Sequence, residues 1–212
     1  MLAYAVMLDG GFIKRKFGSA QKPCTAEDIV AFTDKLRRHD LLKDHRLHRI
    51  YFYDAAPSSD VVDKPFSTDK VDFGATPAYQ ANSKLHANLA REDYFANRLG
   101  ELSFNGWVSK KDLRAVKEAS YELTATNIKP NITQKGVDMR IGLDMASLTL
   151  KKLSSVIVLV TGDSDFVPAM KFARREGAQL ILVTLGHAVK EAMYHHADVV
   201  INDSAGDWLA AS

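Results

Sequence analysis

Apolar runs at Ala3 to Leu8, Ile50 to Tyr53, Val156 to Thr161, Leu180 to Thr184 and Val199 to Ile201 alternate with stretches whose apolar residues recur at helical spacing. Strands joined through helices lie parallel, and each crossover lays its helix on the sheet, so the pattern predicts an α/β fold with a mainly parallel sheet covered on both faces. The helices are expected over Thr25 to Arg38, Asn82 to Leu99, Val137 to Lys152, Phe166 to Glu176 and Ala188 to His195. Weaker strand patterns run from Leu102 to Val108 and from Tyr121 to Ile128. Between Ala55 and Ala81, Pro57, Pro65 and Pro77 stand among many Ser, Asp and Lys residues, which predicts a long irregular loop and a candidate lid.

A length of 212 residues suits one domain over 1–212 with an insertion at about 55–81. With 46% hydrophobic and 25% charged residues the chain is globular in composition, and no apolar run approaches the roughly 20 residues that span a bilayer. The apolar start, Met1 to Leu8, lacks a basic leader and reads as a first strand rather than a signal peptide. One cysteine, Cys24, excludes a disulfide framework and a thiolate zinc cluster and suits a reducing, cytoplasmic setting. A net charge of +2 is too small to demonstrate a polyanion partner. The run Lys14-Arg15-Lys16 nevertheless follows the first strand closely enough for Lys14 to contact a phosphate.

The chemistry gathers where Val156-Ile-Val-Leu-Val-Thr161 runs through Gly162 into Asp163-Ser164-Asp165-Phe166. In an open parallel sheet, loops at the strands' carboxyl ends line a crevice where strand order reverses. Asp9 and Asp163 both follow apolar strands, and neighbouring strands would bring their carboxylates together beside Asp165. Like charges a few ångströms apart raise one another's pKa, and a hard divalent cation relieves the conflict. Oxygen ligands without a cysteine set or histidine triad point to Mg²⁺ or Mn²⁺. Asp138 opens the helix after Lys135-Gly136 and supplies a fourth acid. Asp144, six residues on, points about 120° away and lies some 9 Å further along the axis, which leaves it an outer-sphere or structural role. Lys135 and Ser164 are further candidates for substrate contact.

Leu8-Asp9-Gly10-Gly11-Phe12, Lys135-Gly136-Val137-Asp138 and Thr161-Gly162-Asp163-Ser164-Asp165-Phe166 together resemble the three signatures of NYN domains, in the same order and spacing. The chain is similar in particular to the LabA-like branch within the PIN-like nuclease superfamily, over roughly residues 3 to 203. That resemblance implies a Rossmann-like three-layer sandwich and metal-dependent ribonuclease activity on RNA. It implies ligands for Mg²⁺ or Mn²⁺ at Asp9, Asp138, Asp163 and Asp165. Many members carry Asn three residues after the first Asp; Phe12 stands there here, which puts activity rather than fold in question.

Gly162-Asp163-Ser164 also looks like the late metal motif of haloacid-dehalogenase-like phosphatases, but their nucleophilic aspartate would fall at position 7, where Met7 forms no aspartyl-phosphate. A degenerate NYN domain that binds RNA or protein without turnover is the non-enzymatic alternative; under either reading a homodimer is a candidate assembly. His187 follows Gly186 and could reach the crevice, although a structural role is the commoner fate of such a residue. His195, His196, Trp107, Trp208 and Cys24 have ordinary structural explanations.

Overall fold

The computed structural model describes residues 1–210 apart from 113, 115, 116, 118 and 119. The chain begins with β1 (Ala3–Asp9), α1 (Gly10–Phe17), α2 (Ala26–Arg37) and β2 (Arg46–Ala56). A short hairpin, β3 (Val61–Asp63) and β4 (Lys70–Asp72), leads to α3 (Pro77–Leu89), β5 (Phe95–Ser109) and β6 (Ile128–Lys135). Then come α4 (Val137–Leu150), β7 (Val156–Val160), α5 (Val167–Arg175), β8 (Gln179–Val183), α6 (Glu191–His195), β9 (Val199–Ile201) and α7 (Ala205–Leu209).

Seven strands form one sheet in the order β6-β5-β2-β1-β7-β8-β9. All neighbours are parallel except β5 and β6. Successive strand side chains point to opposite faces. Tyr4, Val6, Leu8, Ile50 and Phe52 therefore join the core beneath α1, α2, α3 and α7. Ala5, Met7, Tyr51, Tyr53, Ile157 and Leu159 join the core beneath α4, α5 and α6. The central strands are buried on both faces, as their unbroken apolar runs require.

Several elements depart from the sequence expectation. The helix expected over Asn82 to Leu99 is α3 followed by a turn and then β5. Thr76 caps α3 by accepting from the Tyr79 amide, with Pro77 in the first turn, so the helix starts early. Phe95 to Leu99 pair with Ile50 to Asp54, and that ladder overrides a helical period. Within Tyr121 to Ile128 only the last residue belongs to a strand, because β6 runs onward to Lys135. The irregular loop at 55–81 contains β3 and β4, which pair antiparallel. Phe73 packs on Phe104, with ring centroids 5.7 Å apart, and Trp107 Nε1 donates to the Asp63 carbonyl at 3.1 Å. The segment is thus fastened to the long β5 strand. Among the described residues no helix is long and apolar enough to cross a membrane.

Candidate active site

From β1 the chain proceeds to β2 on one side, whereas β7, β8 and β9 extend on the other, so strand order reverses between β1 and β7. Register pairs Leu8 with Val160, which sets Asp9 beside Thr161 just beyond the ladder. Asp9 Oδ2 accepts from the Thr161 hydroxyl at 2.8 Å, and Thr161 Oγ1 accepts from the Asp163 amide at 3.1 Å. Asp9 Oδ1 accepts from the Phe12 amide at 3.0 Å and so caps α1. Asp163 Oδ1 accepts from the Asp165 amide at 2.9 Å, capping a single 3₁₀ turn over Ser164–Phe166. The two strand ends are therefore joined through side chains as well as through the sheet.

Asp138 enters from the side. Gly136, with φ of 76°, turns β6 into α4 and leaves Asp138 in the first turn of that helix. Burial first, and then the negative charges of Asp163, Asp9 and Asp165, hold the Asp138 carboxyl above its ordinary pKa. Asp9 is likewise raised by burial, with Asp163 adding to the rise. Its hydrogen bonds from Phe12 and Thr161 and the charge of Arg15 act in the opposite direction. Asp138 thus lies within electrostatic reach of the other three aspartates.

Among the described residues, however, no three His, Cys, Asp or Glu side chains stand close enough to hold one ion. The four-ligand arrangement expected from sequence is not closed. Asp9 has hydrogen bonds on both oxygens, and Asp163 has one on Oδ1. An ionised carboxylate offers about four lone-pair positions, so these bonds do not exhaust its capacity. In charge and donor type the cluster fits a hard divalent cation: all oxygen, mutually repelling, with Asp138, Asp163 and Asp165 exposed.

An open cleft of about 450 Å³ is lined by Asp9, Phe12, Arg15, Lys16, Gly162, Asp163 and His187. Asp138 and Asp165 lie outside this lining. The three consecutive basic residues of α1 divide between two environments. Lys14 Nζ donates to Asp54 Oδ2 at 2.6 Å and to Asn82 Oδ1 at 2.8 Å, away from the cleft. Lys14, from which a phosphate contact was expected, is thus held by Asp54, whereas Arg15 and Lys16 line the cleft and have no carboxylate hydrogen-bond partner among the described residues. A Cβ on Gly11 would lie 3.5 Å from both Arg15 Nη1 and Asp9 Oδ1, which places guanidinium and carboxylate around one glycine. Lys16 Nζ sits 5.7 Å from the Phe12 ring centroid.

Asp54 is a buried carboxylate that sequence reasoning passed over, because it follows Tyr53 where a loop was expected to begin. Its Oδ2 also meets His86 Nε2 at 2.8 Å, and its Oδ1 accepts from the Ala55 amide at 2.9 Å and from Gln134 Nε2 at 3.3 Å. Burial pushes the Asp54 carboxyl up, but the His86 hydrogen bond and the Lys14 charge more than reverse this and leave it below the usual range. Asp144 accepts from Tyr53 Oη and Arg98 Nε, both at 3.0 Å, and so ties α4 to β2 and β5. Lys135 is exposed and Ser164 half-buried, and neither side chain is hydrogen-bonded among the described residues.

A family comparison matches residues 29–204 to the NYN domain. The chain belongs to the NYN domain family. That match takes in Asp138, Asp163 and Asp165 and begins after Asp9, whose place in the site rests on the β1–β7 geometry. NYN domains are grouped with nucleases, which typically use a divalent metal. The domain is also 28% identical over 103 residues to an uncharacterised protein, MJ0482, of Methanocaldococcus jannaschii, covering 49% of this chain and 40% of that protein. It therefore spans about 40% of the length of the curated relative it matches. Two solved structures are distantly similar. A protein of unknown function from Vibrio parahaemolyticus, VPA0982, shares 13% identity at a TM-score of 0.49, covering 95% of this chain and 94% of that one. A Sir2-enzyme structure shares 10% identity at 0.37, covering 98% and 88%. Likenesses this distant say nothing of activity.

Proposed function

We propose that this NYN domain is a ribonuclease that hydrolyses RNA phosphodiester bonds with Mg²⁺ or Mn²⁺ at Asp9, Asp138, Asp163 and Asp165. The observation that carries the reading is the crowding at Asp138, whose carboxyl is raised first by burial and then by the charges of Asp163, Asp9 and Asp165. No basic side chain is among the causes of its shift, so the charge is left for a cation to balance. When bound, a divalent ion polarises the phosphoryl oxygen and lowers the pKa of an attacking water. The chain supplies the rest. Asp9, fixed by the Phe12 amide and the Thr161 hydroxyl, is the rigid member of the set, while Asp163 and Asp165 are presented on a short capped turn. Arg15 and Lys16 line the same cleft as Asp9 and Asp163, where they hold the scissile strand's phosphates by charge. Lys135 and Ser164, whose side chains make no hydrogen bond among the described residues, are available for further substrate contact.

The test is Asp163→Asn assayed on single-stranded RNA with Mn²⁺. Cleavage is expected to disappear with the melting temperature unchanged; persistence of cleavage in a clean preparation refutes the reading. A second reading, RNA binding without turnover, is favoured by the unclosed acid set and by Phe12 in the cleft wall. Equal RNA affinity in chelator and in Mn²⁺, with the strand never cut, decides for it.

A further inference from the structure

We propose that His187 is the nucleobase platform of this cleft: its imidazole, braced by Phe12, stacks on an unpaired base of single-stranded RNA whose phosphate Arg15 and Lys16 hold. This deepens the ribonuclease reading and rests on it for the identity of the polymer.

The turn after β8 is built to deliver this one side chain. Leu185 and Gly186 have φ of 49° and 70°, and the His187 amide closes the turn on the Thr184 carbonyl at 2.9 Å. A left-handed conformation is costly at a leucine and persists only where the surroundings enforce it. Leu185 is 1% exposed and packed in the core beneath α1 and α2, which supplies that enforcement. His187 emerges exposed, and its ring nitrogens have no hydrogen-bond partner among the described residues.

Two neighbours fix the ring. Phe12, 4% exposed, meets it nearly edge to face, with centroids 5.7 Å apart and planes at 68°. Gly162 leaves the room: a Cβ there would overlap the imidazole and approach Phe12 Cε2 to 2.8 Å. An exposed aromatic ring braced by a buried one shares a cleft with two cations and with Asp9 and Asp163, two of the four acids proposed to do the chemistry. Single-stranded nucleic acid is held in this way, by cations along its phosphates and by aromatic rings under its bases. Phe12, in the position where an amide was expected, then has a use as the brace.

The experiment measures binding in the Asp163→Asn background with Mg²⁺, so that the strand stays intact. Fluorescence anisotropy compares labelled oligouridylate of about a dozen nucleotides with a ribose-phosphate strand of equal length lacking bases. His187→Ala is expected to weaken oligouridylate binding by about tenfold and to leave the base-free strand unaffected. His187→Tyr, which keeps an aromatic face, should restore affinity to within about twofold. Unchanged oligouridylate affinity in His187→Ala overturns the platform while RNA binding stands. An equal loss on both strands also overturns it, because the imidazole would then serve the phosphate. Background protein that binds no RNA removes the platform together with its premise, whereas the cleavage assay on unsubstituted protein judges the ribonuclease reading separately.

Discussion

Replacing Lys14 by Met tests whether that lysine belongs to the fold or to the substrate. Its Nζ lies 2.6 Å from Asp54 Oδ2, with side-chain exposures of 25% and 0%. At an effective dielectric near 20 the attraction at this distance is about 6 kcal/mol, before desolvation is counted. Removing one partner of a buried pair costs about 3–5 kcal/mol, because the remaining charge stays buried. Asp54 keeps His86, the Ala55 amide and Gln134, and Lys14 is a quarter exposed, so the lower end applies: about 3 kcal/mol. Urea unfolding should show a lowered midpoint with an unchanged slope. Adding Asp54→Asn removes the stranded charge, so the double variant should be more stable than Lys14→Met alone. Asp54 is depressed when folded, so its stabilisation is complete above about pH 4 and is lost as pH falls through the folded value. The gap between unsubstituted protein and Lys14→Met should therefore narrow in acid. A loss below about 1 kcal/mol, the range of exposed ion pairs, would show that Lys14 is a surface charge and return it to the substrate.

The remaining predictions concern the cleft. Arg15→Ala should weaken single-stranded RNA binding and reduce the slope of log affinity against log salt by roughly 0.7, while Lys14→Met leaves that slope alone; a titration of salt by anisotropy separates them. Asp138→Asn relieves a carboxyl raised by burial and by Asp163, Asp9 and Asp165, so without metal at pH 7 its melting temperature should equal or exceed that of unsubstituted protein. Mn²⁺ should raise the melting temperature of unsubstituted protein and leave that of Asp138→Asn nearly unmoved. Gly162→Ala should cost about 1–3 kcal/mol by urea unfolding, because its Cβ would overlap the His187 ring and approach buried Phe12 Cε2 to 2.8 Å.

Much of the architecture was legible because burial writes itself into sequence. The runs at Ala3 to Leu8 and Val156 to Thr161 announced strands covered on both faces, and β1 and β7 are neighbours. Helix α1 was not legible, since Gly10 and Gly11 weaken local propensity and its cap, Asp9, had been read only as a ligand. Leu85, Leu89, Ala96 and Leu99 fit a helical period, yet only the first two lie in α3; pairing with β2 claims the others, and no local signal reports a partner 45 residues away. In the site, the acids stood out by type. The Thr161 hydroxyl joining Asp9 to the Asp163 amide did not, because a threonine closing an apolar run looks like one more strand residue.

Two periodicities explain the division of the basic run and the hidden acid together. On a helix, consecutive side chains are about 100° apart, so three adjacent cations on α1 cannot share one surface. Lys14 turns toward α3 and meets Asn82, while Arg15 and Lys16 border the cleft. On a strand the step is a reversal of face. Tyr53 points to the α4 side and bonds Asp144, and Asp54, one residue later, points to the α1 and α3 side and receives Lys14 and His86. Asp54 also accepts from Gln134 on β6, four residues before Asp138. One buried carboxylate thus links α1, which Asp9 caps, to the strand that leads into Asp138.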